Sequence, residues 1–90
     1  AQGPVGMSHA TGIERFPGTL TDLANEVGDL RYDALAAFLE SLAAKLQADA
    51  REDGSEGREQ LASALNEASQ GVRAAADSIG KAWRVCEPHM

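Results

Sequence analysis

Apolar residues recur at helical spacing through most of this chain. Leu20, Leu23, Val27, Leu30, Ala34, Phe38, Leu42 and Leu46 fall on one side of a helix at about 100° per residue. Leu35 and Leu39 widen that arc to about half the circumference, against roughly 100° for an ordinary surface helix. The run Glu52-Asp53-Gly54-Ser55-Glu56-Gly57 then interrupts the pattern with two glycines and a cluster of charge. Beyond it Leu61, Leu65, Ala68, Val72, Ala75, Ile79, Ala82 and Cys86 alternate at spacings of four and three, a heptad seam. The pattern predicts a first helix over about 19–51, a turn over about 52–57 and a second helix over about 58–87.

Terminal signals agree with these limits. Thr19 or Thr21 is placed to cap the first helix, with Asp22 in the first turn where the helix dipole favours negative charge. Ser55 or Asp53 can cap the second helix, and Pro88 ends it after Lys81 and Arg84. Residues 1–18 hold four glycines and two prolines without an apolar period, which predicts a flexible N-terminal arm. Met7 is a candidate natural start, with residues 1–6 a leftover of expression. The helical-hairpin domain is therefore expected over 19–87.

Each helix has roughly thirty residues and a length of about 45 Å. Matched lengths and a short turn predict an all-α fold, an antiparallel two-helix hairpin. One partner helix buries only one stripe, so the wide arc of the first helix predicts a second copy, a homodimer forming a four-helix bundle. Leu61, Leu65, Val72, Ile79 and Trp83, with Arg31 from the first helix, are the expected core or oligomer seam. Beside that seam runs a ridge of small residues, Ala64, Gly71 and Ser78. Gly71 and Gly80 each cost about 1 kcal/mol relative to alanine in a helix, so a close approach or a bend is expected there, with a tolerated exposed glycine the alternative at Gly80.

Charge narrows the function classes. Fourteen acidic and eight basic residues give a net charge of -6, which repels phosphate backbones, so no nucleic-acid partner is expected. The absence of a long apolar run or a secretory leader predicts no membrane association and a cytoplasmic setting. Cys86 is the single cysteine, so the chain forms no internal disulfide, and its place on the seam fits a small buried hydrophobe. Only Phe16, Tyr32, Phe38 and Trp83 are aromatic, and the last three suit packing positions. His9 and His89 have no partners at ligand spacing, no serine has a triad context, and no cofactor is expected.

The most distinctive polar feature is the line Asp22, Glu26, Asp29, Asp33 and Glu40 on the face of the first helix opposite its leucines. Like charges one turn apart repel slightly, a cost that a basic partner or a divalent ion offsets, although such faces are mostly solvating. Within it, Leu23-Ala24-Asn25-Glu26-Val27-Gly28-Asp29-Leu30 resembles the Glu-x-x-Asp helix of the all-alpha nucleotide pyrophosphohydrolases of the MazG type. That resemblance implies magnesium held by Glu26 and Asp29 and bridging nucleotide phosphates. It covers eight residues, and the family's upstream acidic helix has no counterpart before Thr19. Arg31 stands in the apolar arc, where it needs either a buried partner or a path to water past its small neighbours. The leading expectation is a small acidic interaction or oligomerisation protein without catalysis. A magnesium-dependent pyrophosphohydrolase and an acidic protein that docks on a basic partner are the alternatives.

Overall fold

Thr19 begins the first helix through reciprocal bonds: its hydroxyl accepts from the Asp22 N–H at 3.0 Å, and its own N–H donates to the Asp22 carboxylate at 3.1 Å. The computed structural model describes residues 9–89, so the expected leftover at 1–6 and Met7 lie outside the described residues. Among the described residues the fold is all helical: α1 Leu20–Gly28, α2 Tyr32–Ser55, α3 Glu59–Cys86 and a closing 3-10 turn, Glu87–His89. Residues 9–19 carry no regular secondary structure.

The single first helix expected over 19–51 is two helices. Asp29 closes α1, and Arg31, at φ -54 and ψ 143, stands before α2 in an extended conformation. The second boundary also moves. Glu52 to Ser55 continue α2 instead of opening the turn, which is confined to Glu56, Gly57 and Arg58. There the Gly57 N–H donates to the Gly54 carbonyl at 3.1 Å and the Arg58 N–H to the Asp53 carbonyl at 2.8 Å. These crossed bonds form a Schellman motif, which places its closing glycine in the left-handed region, and Gly57 has φ +86. Neither expected cap serves α3. Arg58 precedes that helix with no capping side chain, the Ser55 hydroxyl donates back to the Glu52 carbonyl, and the Asp53 carboxylate accepts from the Arg58 guanidinium.

The turn folds α3 back along α2, and the contact between them is made of small residues. Ala43, Ala50, Ser69 and Ala76 are the buried side chains, at 0%, 8%, 3% and 2% exposure. The Ser69 hydroxyl donates to the Ala43 carbonyl across the interface at 2.9 Å. With Ser69 opposite Ala43, antiparallel register sets Ala76 against Ala36 and Ala62 against Ala50, small residues every seventh position on both helices. Such a line lets helix axes approach toward the short end of the usual 8–10 Å range. At the turn end, Gly54 continues the line, with room for a Cβ only 3.6 Å from that of Ala62.

This seam is turned about one residue from the expected one. Leu65, Val72, Ile79 and Trp83 are half-buried along its edge, whereas Leu61, Ala68 and Ala75 are exposed. Close approach is likewise absent from the expected glycines. Nothing lies within 4 Å of a Cβ built on Gly71, and Gly80 would meet only the end of the Arg84 side chain. Alanine at the contact excludes anything larger, so the long apolar side chains are pushed to its flanks.

Two substitutions test this packing. Ala43→Leu overfills the contact and is expected to destabilise the fold by about 1–3 kcal/mol. Gly57→Ala forces a Cβ into left-handed backbone at a cost of about 1–2 kcal/mol. Thermal melting followed by circular dichroism reads both, since 1 kcal/mol moves the midpoint of a domain this size by about 4–8 °C.

Candidate functional site

The flanks of the hairpin differ. At about 100° per residue, Leu42 on α2 lies roughly a quarter turn from the alanine line, with Phe38 and Lys45 farther round on the same side, about 140° and 160° from it. Leu61, Leu65, Ala68, Val72 and Ala75 do the same on α3 and fall on the same side of the hairpin. This side is apolar, and three of its large residues are open, Phe38 at 44%, Leu42 at 38% and Leu61 at 44% exposure, beside half-buried Leu65 and Val72. Toward the turn it ends in a cavity of about 480 Å³, lined by Leu61 and Leu65 together with Lys45, Asp49 and, from the N-terminal segment, His9. Lys45 pairs there with Asp49 at 2.6 Å and Arg58 with Asp53 at 2.7 Å, which among the described residues leaves Glu52 as the unpaired charge of that rim. The opposite flank is polar, with Gln47, Arg51, Ser63 and Asn66 around a shallow depression.

A second group of side chains gathers at the open end of the hairpin. Arg31 donates to both carboxylate oxygens of Asp33 at 2.7 Å, and its guanidinium lies 5.1 Å from the centre of the Trp83 ring. Both residues border a cleft of about 280 Å³ with Tyr32 and Cys86. Arg31 is thus neither buried in the apolar arc nor paired within a core. The break before Tyr32 takes it out of the helix, and its side chain is 61% exposed. The Arg31 hydrogen bond holds the Asp33 carboxyl below the ordinary aspartate value, reinforced by the Ala34 N–H and the charge of Arg31, against a smaller opposing effect of desolvation. The same hydrogen bond, with the charge of Asp33, raises Arg31. A carboxyl lowered in this way favours the folded chain above the ordinary aspartate range, and the contribution disappears as pH falls through its native pKa.

The five acidic residues do not share one helix face. Asp22 belongs to the capping box, Glu26 lies on α1, Asp29 closes that helix, Asp33 is taken by Arg31, and Glu40 stands exposed on α2. Among the described residues, no group of three or more His, Cys, Asp or Glu side chains is placed to hold a metal. Cys86 is a free, half-buried thiol beside Trp83. No helix among the described residues is long and apolar enough to cross a membrane. The chain matches no protein-family model, no curated protein and no solved structure.

Arg31→Ala is expected to raise the Asp33 pKa toward its ordinary value, read by NMR titration of the carboxyl carbon, and to change Trp83 fluorescence. Because the pair is exposed, the melting temperature should hardly move. A large fall in melting temperature would mean that Arg31 supports the core.

Proposed function

We propose that this chain is a non-catalytic interaction module that works by self-association, two copies meeting through the apolar flank to form a four-helix bundle. The carrying observation is the run of large apolar side chains, Phe38, Leu42 and Leu61 with half-buried Leu65 and Val72, on one side of a hairpin whose only buried residues are alanine and serine. Two helices side by side form a single layer, and a layer with one apolar side is stable when a second layer covers it. Burying one such leucine or phenylalanine contributes about 1.5–3 kcal/mol.

Surface area supports the same reading. The chain exposes 6830 Å², against about 5,000 Å² for a folded monomer of 9.4 kDa. Part of that difference comes from the irregular segment 9–19 and from unpacked α1, and the open flank adds to it. The Lys45–Asp49 and Arg58–Asp53 pairs offset most of the rim charge, so two copies of a chain with net charge -6 meet over a face less acidic than the chain as a whole. Glu26 and Glu40 lie outside this face and stay free to meet a basic protein. The free Cys86 fits a cytoplasmic setting.

Sedimentation equilibrium from low to high micromolar concentration, with reductant, is expected to give a dimer. Leu61→Asp places a charge on the face and should shift the protein to monomer with its helix content retained. A wild-type monomer at every concentration overturns the reading.

A further inference from the structure

The N-terminal segment reaches the same apolar flank at His9. One of its ends is the break at Leu30 and Arg31, beside Trp83. Its other described end is His9, which lines the cavity with Leu61 and Leu65 near the turn. Residues 9–28 therefore extend from the open end of the hairpin toward its turn, where His9 reaches the side on which Leu61 and Leu65 lie. Between these ends sits α1, with Leu20, Leu23 and Val27 at helical spacing, no buried residue and no packed interface with α2 or α3. A helix of nine residues is marginal by itself even with a good cap.

The break has the length of the loops that join antiparallel helices, about 2–5 residues. Folded back on α2 about that break, α1 brings Val27 beside Leu35, Leu23 beside Phe38 and Leu20 beside Leu42. The pairing joins side chains that are otherwise open, Leu20 at 52% exposure, Phe38 at 44% and Leu42 at 38%.

We propose that α1 is a lid on the apolar flank, closing over Leu35, Phe38 and Leu42 of its own chain and competing there with a second copy. The competition rests on the self-association proposed above; closure of the lid does not. At 1.5 Å per residue α1 is about 14 Å long and α3 about 42 Å, so a closed lid covers about a third of the face and does not reach Leu61 and Leu65. A second copy covers the whole of it. The lid therefore sets the concentration at which copies associate without preventing it.

Hydrogen exchange on the full chain, at a concentration where sedimentation shows monomer, separates the two ideas. Backbone amides of residues 23–28 are expected to exchange at least about tenfold more slowly than in an unstructured peptide. Phe38→Asp should abolish that protection and Leu61→Asp should leave it. In sedimentation, Leu23→Asp combined with Val27→Asp should strengthen the dimer several-fold. Unprotected α1 amides, protection indifferent to Phe38→Asp, or a dimer weakened by the α1 substitutions each overturn the lid. Should the wild type never dimerise, self-association fails alone, and the exchange measurement still decides the lid.

Discussion

The close contact of α2 with α3 is the constraint from which the rest of the structure follows. Ala43, Ala50, Ser69 and Ala76 let the two backbones approach until no larger side chain fits between them. Ser69 then bonds directly to the Ala43 carbonyl, and this buried hydrogen bond pins the register that the Gly57 turn begins. A contact so narrow has no room for leucine. Phe38, Leu42 and Leu61 are consequently displaced to one side, and the hairpin has an apolar flank instead of a central core.

Much of this architecture is legible in the chain. Thr19 or Thr21 with Asp22 marks a helix start, which the fold makes a capping box at Thr19, and the period of the leucines identifies both long helices. The rotation of the seam is less visible, because Leu61-Leu65-Ala68 and Ala62-Leu65-Ser69 both follow helical spacing and differ by one position. Hydrophobicity favours the first line, whereas the distance between axes selects the second. The repeat of small residues seven apart, Ala36-Ala43-Ala50 and Ala62-Ser69-Ala76, is the signal that distinguishes them. Gly54 misleads for a related reason: as a helix breaker it suggests a turn, but in the fold it keeps α2 close to Ala62.

The break between α1 and α2 has its own signature. A guanidinium in the middle of an apolar arc is costly, and the chain avoids that cost by leaving the helix at Arg31. Gly28 as the last residue of α1 and Asp33 in the first turn of α2 are ordinary stop and start signals, masked by the leucine period that continues across them. The apolar flank was foreshadowed by the excess width of that arc. The meeting of His9 with Leu61 and Leu65 was not, because it depends on a reversal of the chain over more than fifty residues.

The turn at Gly57 also orders events in time. Because α2 and α3 are neighbours in sequence, joined through Glu56, Gly57 and Arg58, their pairing needs little loop closure. Helical folds dominated by such local contacts form in microseconds to milliseconds. Encounter between molecules depends instead on concentration and at dilution is far slower. A newly made chain thus acquires its hairpin first and meets other proteins afterwards, so its apolar flank enters solution as an already shaped surface.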